Sequence, residues 1–221
     1  MLFEFTNILF VDCIHLYYVN KKKLNISQST RWFFLHSIIN WFVVYYSVCD
    51  VCTCLLKNNE CHKITWNNNS IKVYNYAFLL HIYHCIFFKL NADDYLHHFM
   101  MVAICGTLCY MLQSIISSFA LFFLSGLPGA IDYMLLYLVK RNKIHSLTEK
   151  NIYTYLSAYL RAPGCTFTLL IGFNGLIDFY NNNQKLNFYI LLLTILIIFW
   201  NGQYYLLRSY KSYIEKTNFI K

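Results

Sequence analysis

Asp93-Asp94-Tyr95-Leu96-His97-His98-Phe99-Met100-Met101 stands at the mouth of an apolar run that reaches from Tyr95 to Val139. A run of 45 residues is too long for one membrane span, which needs about 20. It suits two spans joined by a tight turn near Gln113-Ser114. Ionisable groups at the edge of hydrocarbon are costly unless they are solvated, paired or used. Two carboxylates and a histidine pair at such an edge mark the first place to look for function.

Working outward, the composition supports the same reading. The 221 residues are 58% hydrophobic and 13% charged, with only 7 Gly and 2 Pro, whereas a soluble domain is nearer a quarter charged. The expected fold is all-α, a polytopic membrane helix bundle of about seven transmembrane helices. The net charge of +8 sits in short connections between apolar blocks and not along one face, so membrane topology explains it better than a nucleic-acid footprint. Most of the 9 Cys lie inside apolar segments and read as small hydrophobes. Cys49-Asp50-Val51-Cys52-Thr53-Cys54 with Cys61-His62 is the exception, open to zinc, a redox pair or a lumenal disulfide.

The expected spans follow from the blocks. Residues 2–19 form a weak first span carrying Glu4, Asp12 and His15, followed by Lys21-Lys22-Lys23. It lacks the features of a cleaved signal peptide and reads as a reverse-oriented anchor. Further spans are expected at about 32–56, 73–90, the two within 95–139, 152–180 and 186–207. Pro128, with Gly126 and Gly129 beside it, should kink or break its helix, because proline removes a backbone donor and glycine allows close approach. The chain then divides into an N-terminal span and basic loop (1–30), a transmembrane domain (31–207) and a basic tail (208–221).

Lys and Arg fix the expected orientation. Lys21, Lys22, Lys23, Arg31, Lys140, Arg141, Lys143, Lys150, Arg208, Lys211, Lys216 and Lys221 share one side, against Lys57, Lys63, Lys72 and Lys185 on the other. The bias places the tail in the cytosol and the N-terminus in the lumen. The sequon Asn68-Asn69-Ser70 is then lumenal and open to glycosylation.

At about 1.5 Å of rise per residue, His84, His97, His98, Asp132 and Arg161 all fall in the cytosolic half of the bilayer. Such groups usually face a bundle interior or a water-filled cavity. Each also has a plainer reading. Adjacent helical positions point some 100° apart, so at most one of His97 and His98 need face a cavity, and either could be interfacial. His81 and His84 share a helix face and could be packing glue. Asp132 and Arg161 could neutralise each other as a buried pair. Tyr133 could be packing, and Asp93-Asp94 could be a solvated helix cap. The chemistry these types permit is acyl transfer: a neutral imidazole removes a proton, a carboxylate orients it, and a cation stabilises an oxyanion.

Asp93-Asp94-Tyr95-Leu96-His97-His98 opening a span, then Leu127-Pro128-Gly129-Ala130-Ile131-Asp132-Tyr133 in the next, and Arg161-Ala162-Pro163 after that, resembles the TLC-domain family, which includes the ceramide synthases. The resemblance covers roughly 31–207. It implies six helices in a TLC-type barrel plus an N-terminal span, with His97 and His98 in the active site and Asp132 matched more loosely. The synthase pattern continues past its histidines with further motifs, whereas here His98 is followed by Phe99-Met100-Met101-Val102-Ala103-Ile104. A smaller, divergent TLC protein is the better match.

The functional expectation is a membrane protein of lipid or sphingolipid metabolism, an acyltransferase candidate with acyl-CoA as co-substrate and no bound cofactor or metal. His97, His98 and Asp132 are the expected catalytic residues, and His84, Arg161 and Tyr133 the expected substrate contacts. Membrane lipids are the expected partners and the endoplasmic reticulum the expected membrane. The rival from another class is a non-catalytic lipid-binding or lipid-regulating protein of the same fold. A di-iron hydroxylase needs more clustered histidines than this chain offers, and no paired Gly/Pro-interrupted segments suggest a transporter.

Overall fold

The computed structural model describes residues 1–218, so the last three residues of the expected basic tail lie outside the described residues. Helices α1 (Leu2–Lys21), α2 (Gln28–Leu56), α3 (Asn68–Phe87), α4 (Ala92–Leu112), α5 (Ile115–Lys140), α6 (Ser146–Asn181) and α7 (Lys185–Asn218) follow one another through short turns. Six are long and apolar enough to cross a membrane. The other, α3, has 20 residues but spends several of them on Asn68, Asn69, Lys72, Asn75, His81 and His84.

Helices α2, α5, α6, α7, α4 and α3 each pack against the next and close into a ring, α3 returning to α2. Helix α1 lies outside the ring against α2 and α3. Its polar residues explain its weak apolar signal, because Glu4, Asp12 and His15 face the bundle while Phe3, Phe10 and Tyr17 face outward. Arg31 on α2 donates from Nε to Asp12 at 2.7 Å, and the hydroxyl of Tyr83 on α3 donates to the same carboxylate at 2.5 Å. That buried pair ties the N-terminal span to two ring helices.

Turn chemistry sets the junctions. Gln113 adopts φ 48° and Ser114 caps α5 through the Ile116 amide, which places the α4–α5 turn where the apolar run predicts it. Asn67 and Ser70 form a capping box at the start of α3, and both donate to the buried carboxylate of Asp50. The charge that interrupts the second apolar block is thereby a partner for the next helix's cap. Asn68 of the sequon is exposed at that cap.

The expected distortion at Pro128 occurs one turn early, and the same occurs before Pro163. Phe122–Gly126 and Ser157–Arg161 are π-helical, immediately before Leu127-Pro128 and Ala162-Pro163. Widening the turn accommodates a ring that cannot donate a hydrogen bond. The helices therefore continue through both prolines. Gly164 sits where a Cβ would collide with the Phe123 ring, so α5 and α6 approach closely there. Helix α7 also runs on to Asn218, and the expected tail begins as helix, with Arg208 on the bundle side.

Segment 57–67 closes one end of the ring. Trp66 donates from Nε1 to Ser114 O and Ser117 Oγ, both at 2.8 Å, and Ile115 N donates to Ile64 O. His62 and Lys63 reach Asp178 on α6.

Candidate functional site

The ring encloses a cavity of about 310 Å³ to which all six of its helices contribute. One end opens among Asn91, Asp93, Asp94, Lys150 and Arg208, where Arg208 and Asp93 form an exposed ion pair at 2.8 Å. The opposite end is blind and apolar, walled by residues such as Phe78, Cys105, Gly106, Cys109 and Ala120, and it stops near Ser117 under the 57–67 segment. Polar groups are concentrated between the two.

Two histidine pairs join α3 to α4. The i, i+3 spacing of His81 and His84 puts both on one face of α3, opposite the adjacent His97 and His98. His81 Nε2 lies 3.2 Å from His97 Nε2, and His84 Nδ1 lies 3.0 Å from His98 Nε2. His81 and His97 line the cavity. His84 stacks on Trp32 with ring centroids 3.8 Å apart, and His98 packs beside it with Nδ1 unpartnered, so neither lies on the cavity wall. The cavity histidine on α3 is therefore His81, one turn before the expected His84.

Geometry fixes the tautomers of the neutral rings. His81 Nδ1 sits 2.6 Å from the Ala77 carbonyl, which can only accept, so His81 Nε2 is left as an acceptor. His97 Nε2 then carries the hydrogen, and His97 Nδ1 accepts from the Tyr205 hydroxyl at 3.3 Å. The basic lone pair of His97 thus points toward α7, across from Arg161. His36, which the sequence shows only as an interruption in the second apolar block, extends the cluster. It stacks on Tyr133 at 3.7 Å and bonds Asn40 through Nδ1.

Opposite the histidines, Asp132 and Glu149 bring two buried carboxyls within hydrogen-bonding reach of each other. Lys150 pairs with Glu149 at 3.3 Å. Arg161 lies between the rings of Tyr153 and Tyr205, at 5.5 and 5.2 Å, and donates to the Tyr153 hydroxyl at 3.1 Å. No direct ion pair joins Asp132 and Arg161 among the described residues. Instead Asp132 Oδ1 and Arg161 Nε are both left without partners, on residues only 7% and 6% exposed. Buried polar atoms are nearly always satisfied, so two orphans on one cavity wall mark where a ligand would be held.

Of the expected site residues, His97, Asp132, Tyr133 and Arg161 line this cavity, and His84 and His98 back it. Glu149, Tyr153 and Tyr205 complete it. Glu149 hides in a loop-like stretch of the sequence, and the two tyrosines have no distinguishing signal among 20. The cysteine cluster divides, with Cys49 and Cys52 exposed on α2 and Cys54 buried. Among the described residues no group of three His, Cys, Asp or Glu is placed to hold a metal ion.

The architecture defines an apolar helical bundle with a polar, one-ended internal chamber. The chain matches no protein-family model, no curated protein and no solved structure.

Proposed function

We propose that this is a multispanning membrane protein of TLC type that acts in lipid metabolism by acyl transfer from acyl-CoA to an amine or hydroxyl. The observation that carries the reading is the chamber itself, where His97, Asp132 and Arg161 converge above a blind apolar end. Its volume is at the low end of small-molecule pockets, about 300–1,000 Å³. That suits one acyl chain better than a two-chain lipid.

In this mechanism His97 Nδ1 takes the proton of the attacking amine or hydroxyl once Tyr205 gives up its hydrogen bond. The nucleophile adds to the thioester carbonyl, Arg161 Nε–H stabilises the oxyanion, the C–S bond breaks, and the proton passes to the leaving thiolate. Where the nucleophile is an amine, Asp132 Oδ1 orients it by accepting its remaining hydrogen. Such acid–base and oxyanion contributions are each worth about 10²–10⁴-fold in rate. His98 supports the site through His84 and touches no substrate.

The mouth of the chamber lies on the side of the basic connections, which the positive-inside rule makes cytosolic, where acyl-CoA is found. The endoplasmic reticulum is the proposed membrane, with a lumenal N-terminus. A second reading, lipid binding without catalysis, draws on the engagement of both His97 nitrogens, which leaves no free base until a ligand displaces Tyr205. Incubating purified protein in nanodiscs with labelled acyl-CoA and mixed lipid amines and alcohols separates the two. Release of CoA thiol with a labelled amide or ester supports transfer. Retention of label without new product supports binding alone.

A further inference from the structure

Cys54, in the last turn of α2, and Cys61, at the turn within the 57–67 segment, stand seven positions apart. Cys54 and Cys61 are both fully buried. Cys61 Sγ lies 3.5 Å from the carbonyl oxygen of Cys54 and 3.1 Å from that of Lys57, so the chain between them folds back and delivers the Cys61 sulfur to the backbone of Cys54. Both side chains belong to one buried apolar cluster with Val51 and Ile115. Cys49 and Cys52, the neighbours that compete for pairing in sequence, are exposed on the outer surface of α2.

We propose that Cys54 and Cys61 form a disulfide that locks segment 57–67 over the blind end of the chamber. The inference rests on the orientation given above, which puts this segment on the lumenal side, where disulfides form and persist.

Hydrogen bonds and an ion pair also hold the segment. Ser114 Oγ donates to Cys61 O at 3.1 Å, Trp66 N donates to Gln113 O at 2.8 Å, and His62 and Lys63 meet Asp178. Ser117, to which Trp66 Nε1 donates, stands at the floor of the chamber. A covalent bond from Cys61 to α2 fixes that floor. Burial makes the pair inaccessible once the segment docks, so oxidation precedes docking. Before docking, Cys61 on the connecting segment is the thiol an oxidoreductase reaches, whereas Cys54 sits on α2.

The oxidant is a protein disulfide of a lumenal thiol oxidoreductase. Cys61 thiolate attacks one of its sulfurs, and that S–S bond breaks to leave a mixed disulfide. Cys54 thiolate then attacks Cys61 Sγ, forming the Cys54–Cys61 bond and releasing the oxidoreductase as a dithiol. Two electrons and two protons pass to it.

The test uses full-length protein expressed in a eukaryotic membrane, with cells quenched in N-ethylmaleimide before lysis. Lys57 lies between the two cysteines, so trypsin frees their peptides separately unless the sulfurs are joined. The expected result is a linked pair of peptides, one ending at Lys57 and one running from Asn58 to Lys63, that separates on reduction. Fragmentation should place the bond at Cys54, and Cys54→Ser should abolish it. Maleimide on both Cys54 and Cys61 in wild-type protein overturns the proposal. If Asn68 of that protein is glycosylated, the orientation stands without the disulfide. If Asn68 is bare and a C-terminal tag is reached from outside intact cells or from the lumen, the orientation has failed as well. A bond from Cys61 to Cys49 or Cys52 overturns the pairing.

Discussion

His81 of α3 and His97 of α4 meet through their Nε2 atoms at 3.2 Å, and the bond from His81 Nδ1 to the Ala77 carbonyl fixes which of the two is the acceptor. One consequence is an asymmetry between the adjacent histidines. His97 lines the chamber and His98 packs behind it against His84 and Trp32. His97→Ala should lower turnover by about 10²–10⁴-fold, the usual contribution of a general base. His98→Ala should retain most activity and lose stability instead. Initial rates with labelled acyl-CoA, beside thermal unfolding of each variant, check both.

Asp132→Asn and Arg161→Gln remove the two groups that carry orphaned atoms. Each should reduce turnover by about 10²–10³-fold, in keeping with loss of one transition-state donor or acceptor. Asp132→Asn preserves the side chain's shape, while Arg161→Gln also gives up the bond to Tyr153. The size-exclusion profile of Asp132→Asn should match wild type, and a collapsed profile would show that residue to be structural.

Asp12→Asn strips the buried partner from Arg31 and Tyr83 while leaving the chamber intact. Breaking one side of a buried pair costs about 3–5 kcal/mol. Denaturation in detergent should show α1 released first, with cleavage by protease between α1 and α2 rising ahead of global unfolding.

Gly164→Ala places a methyl group into the Phe123 ring at the close approach of α5 and α6. Overpacking of this kind costs about 1–3 kcal/mol. A lower thermal midpoint is expected, and the addition of Phe123→Leu should restore part of it.

Asn68→Gln should remove a glycan if segment 57–67 and the start of α3 are lumenal. A mobility shift with endoglycosidase on wild type, absent in the variant, checks the orientation. Glycosylation instead at Asn25, in the sequon Asn25-Ile26-Ser27 on the opposite side, would invert it.

Much of the helical layout is legible in the sequence because apolar blocks and their turns are local signals. The Gln113-Ser114 turn and the inward polar side of the chamber follow from block length and from the expense of charge in hydrocarbon. Distant partners are not local. Asp50 reads as an interruption until the α3 cap closes on it, and Asp12 until Arg31 does. The His-x-x-His and His-His spacings are visible, but which member of each pair faces inward depends on the relative rotation of α3 and α4, so His84 was favoured where His81 is found. Glu149, Tyr153 and Tyr205 reach the chamber through the fold of α6 and α7, with no spacing to mark them.

The central claim is that the His97 side of the chamber performs chemistry on a lipid. Whole-cell lipidomics at matched expression of wild type, His97→Ala and His98→Ala tests it most directly. The account predicts a change in particular acyl lipids or ceramides that wild type and His98→Ala share and that His97→Ala lacks. A change that persists in His97→Ala, or no change with wild type, would contradict it.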